Sequence, residues 1–192
     1  MADWVTISAL ATAGGTLVLA GATFASVRSA NRAARVAEES LLAGIRPLLM
    51  PSRLDDAPLK VSFADNHVAI APGGGVGNGI AVLDGWRVEL SSDIALSEMP
   101  PLDTFRRLTR DIYVASGDVA FWQGAFRDPS EPEFAEVGGL IMARERVVVD
   151  LLYADHQGGQ RVISRFSLLP RDDGNWLAGV ARHWNVDRPD PR

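Results

Sequence analysis

The hydrophobic positions of this chain form two patterns, one uninterrupted apolar run near the N-terminus and short alternating runs in the remainder. The apolar run covers residues 5–27 and contains no charged side chain. At about 1.5 Å of rise per residue, a helix of this length reaches ~34 Å and exceeds the ~30 Å hydrocarbon core of a bilayer. The pattern therefore predicts a transmembrane helix.

The same helix is predicted to continue beyond the membrane. Residues 28–44 (RSANRAARVAEESLLAG) are rich in alanine, arginine, glutamate and leucine, which favour the helix, and the first proline of the chain is Pro47. Gly44 is suited to a helix C-terminus. We therefore expect residues 1–45 to form a transmembrane helix with a juxtamembrane extension.

Small residues recur along one stripe of this helix at alternating spacings of three and four, the spacing of a coiled-coil seam. In a membrane, small residues let two helix backbones approach closely. The stripe predicts self-association or docking on another membrane protein, although a helix this rich in alanine can also produce such a stripe by composition alone. Its members are Ala13, Thr16, Ala20, Thr23, Val27, Ala30, Ala34, Ala37 and Leu41.

The distribution of charge predicts the orientation of the helix. Arg28, Arg32, Arg35 and Arg46 follow the apolar run, whereas only Asp3 precedes it. Because Lys and Arg are enriched on the cytoplasmic side of membrane helices, we expect the N-terminus outside and the following domain in the cytoplasm. The predicted location is the cytoplasmic (inner) membrane of a bacterium.

A cleaved signal peptide is the alternative interpretation of this segment. Residues 22–26 contain small side chains that fit a cleavage site. The start of the chain has no Lys or Arg, however, and the apolar run is longer than the roughly 7–15 residues of a signal peptide. The pattern therefore favours a retained membrane anchor.

Residues 46–186 contain short β-prone runs separated by turn residues, and residues 187–192 are expected to form a frayed tail. The fold class we predict is mainly β, an antiparallel immunoglobulin-like β-sandwich after the helix. A short helix is predicted over residues 103–111, with Asp103 as its cap, and an acidic loop over residues 128–139. The clearest predicted strands are 60–63, 67–70, 80–90, 146–154, 161–169 and 175–185.

Charge and cysteine content limit the possible partners and chemistry. The formal charge is −5, and residues 1–45 hold three acidic and three basic side chains, so the whole excess lies in the domain. An acidic domain argues against nucleic acid as a partner, because phosphate-backbone binding depends on clustered Lys and Arg. The absence of cysteine excludes disulfides, thiolate metal sites and cysteine nucleophiles.

The glycine-rich run at residues 72–79 (PGGGVGNG) invites comparison with a phosphate-binding loop. Gly73 and Gly75 fit the start of a G-x-G-x-x-G fingerprint, but Asn78 replaces its third glycine and a strand, not a helix, is predicted to follow. The Lys and Ser/Thr of a P-loop are also missing. We expect a turn that uses the access of glycine to positive φ, with no nucleotide and no other cofactor bound.

Asp150, Asp155, His156 and His183 are the best candidates for chemistry, because imidazoles and carboxylates can bind a divalent metal or act as acid and base. Their spacing argues against a shared site. Asp155 and His156 are neighbours in a predicted turn, and successive residues of a strand point to opposite faces. A membrane-tethered enzyme or metal-binding domain built on these four residues is therefore the alternative, and our main expectation is that the protein has no catalytic, cofactor or metal site.

The segments 77–86 (GNGIAVLDGW) and 110–124 (RDIYVASGDVAFWQG) resemble those of uncharacterised bacterial single-pass membrane proteins with a C-terminal β-sandwich domain. The resemblance implies this architecture and no particular activity or site residue. The function we predict is that of a membrane-anchored adaptor or accessory subunit whose cytoplasmic domain binds another protein. An exposed strand edge or an aromatic surface of Trp122, Phe126 and Trp184 would supply the contact, unless these aromatics fill the core.

Overall fold

A long helix precedes a β-rich unit in the computed structural model, which describes residues 3–50, 62–64, 67–70, 79–90, 98–118 and 122–188. The chain divides into two compact units, Met1–Ala43 and Gly44–Arg192. The helix, α1, spans Trp4–Ile45, so the predicted continuation of the helix past the apolar run is confirmed. None of its described residues is buried, and by length and composition α1 could cross a membrane.

Four hydroxyl groups in the apolar part of α1 are satisfied within the helix. An unpaired hydroxyl in hydrocarbon costs several kcal/mol by the usual order of magnitude, so each needs a local acceptor. Four hydroxyls donate to a carbonyl oxygen three or four residues earlier, over 2.6–3.0 Å, namely those of Ser8, Thr12, Thr16 and Thr23. The apolar run therefore carries these side chains without exposing a free hydroxyl donor.

The strands of the described residues form two antiparallel sheets. The larger has the order β4-β3-β6-β7-β8, and the smaller has the order β1-β2-β5. The elements are β1 Ser62–Ala64, β2 His67–Ile70, β3 Ala81–Glu89, β4 Arg106–Val114, β5 Trp122–Ala125, α2 Pro132–Met142, β6 Val147–Asp155, β7 Val162–Pro170 and β8 Trp176–Asn185. The six clearest predicted strands agree with β1, β2, β3, β6, β7 and β8 to within two residues. Four of these six strands belong to the five-stranded antiparallel sheet.

Strand β6 lies at the centre of the larger sheet, and all nine of its residues are buried. One face belongs to the main core, through Val147, Val149, Leu151 and Tyr153. On the other face, Leu152 belongs to a smaller cluster with Phe105, Ile163 and Trp184. Both faces of the sheet are therefore covered at β6, which explains why apolar residues occupy nearly every position of this strand.

The smaller sheet contacts the main core face of the larger sheet through aromatic rings. Trp122 of β5 meets Trp86 of β3 edge to face, with 5.2 Å between ring centroids, and Phe126 meets Trp86 at 5.1 Å. Such offset aromatic pairs add about 0.5–1.5 kcal/mol beyond the area they bury. This contact positions β5 over the larger sheet.

The predicted helix over residues 103–111 is wrong. A single 3₁₀ turn, Leu102–Thr104, is followed by strand β4. Leu108, Ile112 and Val114 pack against the main core at alternate positions of the strand. Three arginines obscured this period of two in the sequence, because charged residues at 106, 107 and 110 resemble the solvated face of a helix.

The predicted acidic loop over residues 128–139 is also wrong, because most of it belongs to helix α2. Asp128 accepts hydrogen bonds at Oδ1 from the backbone N–H and the hydroxyl of Ser130, at 2.9 and 2.7 Å, and forms the turn before the helix. Pro132 stands in the first turn of α2, where its missing N–H costs nothing. Val137 and Ile141, four residues apart, bury one face of the helix.

The last glycine of the glycine-rich run is required by a close backbone approach. A Cβ atom on Gly79 would lie 1.7 Å from the carbonyl oxygen of Ile45, so no side chain fits unless the backbone moves. Gly79 does not have a positive φ, unlike the turn residues Gly158 and Gly174. The remainder of the run, residues 72–78, lies outside the described residues.

The start of the predicted C-terminal tail is tied to the domain. The Arg161 backbone N–H donates to Asp187 Oδ2 at 2.7 Å, and the Arg161 guanidinium donates to Oδ1 at 2.6 Å. These bonds hold the pKa of Asp187 below its ordinary value. Residues 189–192 lie outside the described residues.

Candidate functional site

The four residues proposed for chemistry do not come together. Asp150 lies on β6 and is buried, whereas His156 is exposed in the turn after that strand. Asp155 organises the turn, because its Oδ1 accepts the backbone N–H groups of Gln157 and Gly159 at 2.9 and 3.0 Å. Within the described residues, no three His, Asp or Glu side chains lie close enough together to hold a metal ion.

His183 lies on the face of the sheet opposite to Asp150. Its Nδ1 is 2.7 Å from Ser164 Oγ, which is 2.7 Å from the Tyr153 hydroxyl, and that hydroxyl accepts the backbone N–H of Leu49 at 3.1 Å. Burial raises the pKa of Tyr153 to about 12, so the phenol stays protonated at neutral pH. This chain of hydrogen bonds fastens the segment after α1 to β6, β7 and β8.

The three aromatic residues proposed as an interaction surface are interior residues. Trp122, Phe126 and Trp184 are 1%, 2% and 4% exposed. Trp122 and Phe126 belong to the main core, and Trp184 belongs to the smaller cluster on the other face. They therefore do not form an aromatic surface. They fill the interior, which was the alternative interpretation of these residues.

The small-residue stripe lies entirely on α1. Two of its threonines, Thr16 and Thr23, use their hydroxyls on their own helix. They therefore offer a partner helix their methyl groups and no free hydroxyl proton. Association through the stripe stays a prediction, which crosslinking of an Ala20→Leu variant in membranes would test.

An open groove of about 320 Å³ runs between α2 and the residue that follows β3. Its floor is apolar, and the charged side chains that line it are both carboxylates. A Cβ on Gly139 would meet no atom within 4 Å, so the groove is open above this glycine. The lining residues are Leu90, Ala135, Glu136, Gly139, Leu140, Ala143 and Glu145.

A second cavity of about 230 Å³ shares Leu90 with the groove and extends along the end of β3. Pairing of β3 with β4 ends at Trp86 and Arg106, whereas pairing of β3 with β6 continues to Glu89. The end of β3 beyond Trp86 is therefore held in the sheet by β6.

Arg106 closes one end of this second cavity. Its guanidinium lies 4.6 Å from the Phe126 ring centroid and 5.6 Å from that of Trp86. The same guanidinium forms ion pairs with Glu131 at 2.5 Å and Glu133 at 3.4 Å. Arg106 thus links β4 to the start of α2 and fixes the position of the helix beside the end of β3.

A row of charged residues crosses the other face of the larger sheet. The strand registers place Arg87, Asp150, Arg165 and Arg182 opposite one another on β3, β6, β7 and β8. Asp150 accepts two hydrogen bonds from Arg165, from Nε at 2.7 Å and from Nη2 at 2.8 Å. We refer to these four residues as the charged row.

Arg165 remains charged in this buried position. Burial favours the neutral form, but the hydrogen bonds and charge of Asp150, with the charge of Glu89, outweigh it and raise the pKa of Arg165 above its ordinary value. The sequence analysis identified Asp150 but missed its partner. The length of the turn between β6 and β7 could have indicated Arg165 as the partner, since it sets which residues of the two strands lie opposite each other.

Comparisons of the chain with known protein families, curated proteins and solved structures found no match. The resemblance of segments 77–86 and 110–124 to bacterial membrane-anchored proteins therefore stays an expectation.

Proposed function

We propose that this protein is a single-pass protein of a bacterial cytoplasmic membrane, with its N-terminus outside, whose cytoplasmic domain binds another protein. It would act as an adaptor or accessory subunit, by binding and not by catalysis. The observation that carries the proposal is α1, a 42-residue helix without a buried residue that is joined to a folded β-rich unit. A helix exposed to water over this length would leave its apolar side chains uncovered.

The side chains of α1 support membrane insertion. Leu10, Leu17, Val18, Leu19 and Phe24 are all exposed, and burying a large apolar side chain contributes about 1.5–3 kcal/mol. A bilayer provides that burial, and the internally bonded hydroxyls add no unpaired donor. Arginines on the C-terminal side of the run support the proposed orientation.

We expect a reporter fused after Arg192 to behave as a cytoplasmic protein. A fluorescent reporter should be bright in cells, and an alkaline phosphatase in the same place should be inactive, because that enzyme requires an oxidising compartment. Active phosphatase would overturn the proposed orientation. If the same cells also show an N-terminally shortened product, the apolar run is a cleaved signal peptide.

We place the docking surface at the groove beside α2. The partner that fits is a protein segment with apolar side chains flanked by Lys or Arg. Its apolar side chains would contact Leu90 and Leu140, and its cations would meet Glu136 and Glu145. Two carboxylates beside apolar side chains complement a segment of this composition.

Gly139→Leu should abolish this docking without unfolding the domain. The added Cβ meets no atom within 4 Å, so the rest of the leucine side chain has room to extend into the groove, and replacing an exposed helical glycine removes a helix penalty of about 1 kcal/mol. A photo-crosslinking residue at position 143 should give a crosslinked protein in native membranes whose attached peptide is apolar with basic flanks. The Gly139→Leu variant should lose that product.

Met142→Gln is the matched control for this experiment, because Met142 lies on the same helix, is 80% exposed and does not line the groove. It should keep the crosslinked product. A product that persists in the Gly139→Leu variant, or whose attached peptide is acidic, would contradict docking in the groove.

We also propose that the smaller sheet forms the second layer of an immunoglobulin-like sandwich. The edge-to-face contact of Trp122 with Trp86 supports this packing, because it lies between strands of the two sheets. Experimental coordinates that place β1, β2 and β5 away from the main core face of the larger sheet would contradict it.

A further inference from the structure

We propose that the charged row forms, together with Trp184, a binding site for a phosphate group. The site lies on the face of the larger sheet opposite to the main core, toward the edge strand β8. It is distinct from the groove beside α2 and does not depend on the docking proposal. The observation that carries it is a set of buried hydrogen-bond donors without acceptors.

Three donors on this face have no hydrogen-bond partner in the described part of the chain, Arg165 Nη1, Arg182 Nε and Trp184 Nε1. Arg165 and Trp184 are 1% and 4% exposed. A buried donor without an acceptor loses its hydration and gains nothing in return, and the loss is larger for a charged group. Three such donors in one place indicate that an acceptor binds there.

Two of the donors belong to arginines that lie beside the indole ring carrying the third. The Arg165 guanidinium carbon lies 4.9 Å from the Trp184 ring centroid, and that of Arg182 lies 5.5 Å from it. The strand register places Arg182 directly opposite Arg165 and places Trp184 opposite Ile163, two residues along β7. Two cations and one indole N–H are therefore brought to the same patch of the sheet by its backbone pairing.

The charge of this face favours an anion over a water molecule. Arg87, Arg165 and Arg182 contribute three positive charges, whereas Asp150 and Glu89 contribute two negative charges. Asp150 is already occupied by the Nε and Nη2 of Arg165, and Glu89 pairs with Arg87. One positive charge is left over, and in a site of low dielectric an oxyanion compensates it where water does not.

The arrangement of the donors indicates a tetrahedral oxyanion. A carboxylate presents two coplanar oxygens that match the fork of one guanidinium, and Arg165 uses its fork on Asp150. The remaining donors come singly from three side chains, which suits the separately directed oxygens of a phosphate group. Arg182 is half-buried and lies on the edge strand β8.

The test is a titration of the full chain in an uncharged detergent with inorganic phosphate, at constant ionic strength maintained with chloride. We expect a saturable rise of Tm in the unsubstituted protein. Trp184→Phe keeps an aromatic ring and removes the indole N–H, and Arg182→Gln removes the half-buried cation. Each should weaken phosphate binding by about tenfold or more, since a hydrogen bond to a charged group is lost.

Trp122→Phe is the matched control, because Trp122 Nε1 is also buried without an acceptor but belongs to the main core on the other face. It should leave the phosphate-dependent rise of Tm unchanged. If Trp184→Phe does not fold, Arg182→Gln carries the test alone.

A second titration identifies the source of the phosphate group. Phosphatidic acid and diacylglycerol are compared in detergent micelles that contain the full chain. A rise of Tm with phosphatidic acid alone, lost in Arg182→Gln, supports a lipid headgroup, and a rise with inorganic phosphate supports a soluble phosphate. No saturable rise from either source, an equal rise in all variants, or equal loss in Trp122→Phe would overturn the proposal.

Discussion

Replacing Asp150 by alanine should lower the free energy of unfolding of the β-rich unit by about 3–5 kcal/mol. Arg165 would keep its charge in a buried position after losing both hydrogen bonds to Asp150. Glu89, at 4.0 Å from Arg165 Nη2, is too distant to replace them. Urea unfolding of the full chain in detergent, followed by tryptophan fluorescence, measures the loss.

Replacing Arg165 instead of Asp150 separates two effects, the cost of a buried charge without a partner and the loss of the attraction between the two residues. In Arg165→Met, Asp150 still has Arg87 Nε at 3.9 Å, so the loss should be smaller than in Asp150→Ala. The double variant Asp150→Leu with Arg165→Met removes both partners of the buried ion pair, and we expect its stability to approach that of the unsubstituted protein. Equal losses in all three variants would contradict a role for stranded charge.

The charged row shows how far sequence analysis reaches in a sheet. Alternation of Val147, Val149, Leu151 and Tyr153 indicates the apolar face of β6, and the same period of two puts Asp150 on the opposite face. Whether Asp150 has a charged partner depends on the register of β6 with β7. That register is a long-range property, since the residue opposite Asp150 is Arg165 only because the turn has its particular length.

The two incorrect element predictions have a common physical cause. Residues 106–114 and 132–142 each combine charged residues with an apolar period, and composition was given more weight than period. In β4 the period is two, through Ile112 and Val114, and in α2 it is nearly four, through Val137 and Ile141. Burial of these side chains by the larger sheet decides the local structure, because tertiary packing outweighs the weak preferences of single residues.

The groove beside α2 does not follow from a prediction that makes residues 128–139 a loop, because the groove is lined by residues of that helix. Gly139 becomes informative only when α2 is known, because an exposed glycine inside a helix is costly unless something requires the space above it. For the aromatic residues, the sequence analysis gave too much weight to a surface role and too little to burial in the core. Trp122 and Phe126 were considered for a surface, but large aromatics bury the most apolar area and usually supply the core of a small domain.

Replacing Gly79 by alanine should destabilise the start of the β-rich unit, where Gly79 contacts Ile45. The new Cβ would stand 1.7 Å from the carbonyl oxygen of Ile45 and 2.6 Å from its carbonyl carbon, so the backbone must separate there. Ile45 is the last residue of α1, and Leu49 just beyond it bonds the Tyr153 hydroxyl. We expect a loss of at least about 1–3 kcal/mol, the usual cost of overpacking, because neither atom belongs to a flexible side chain.

Limited proteolysis measures the local effect of this substitution, and urea unfolding measures the global effect. Cleavage by chymotrypsin after Leu48 should accelerate in Gly79→Ala, because the connection would lose its contact with the sheet before the sheet itself unfolds. Gly179→Ala is the control, since a Cβ at Gly179 meets no atom within 4 Å, and it should change stability by less than about 0.5 kcal/mol. If the two variants are equally stable and equally resistant to cleavage, then the contact between Gly79 and Ile45 does not stabilise the start of the β-rich unit.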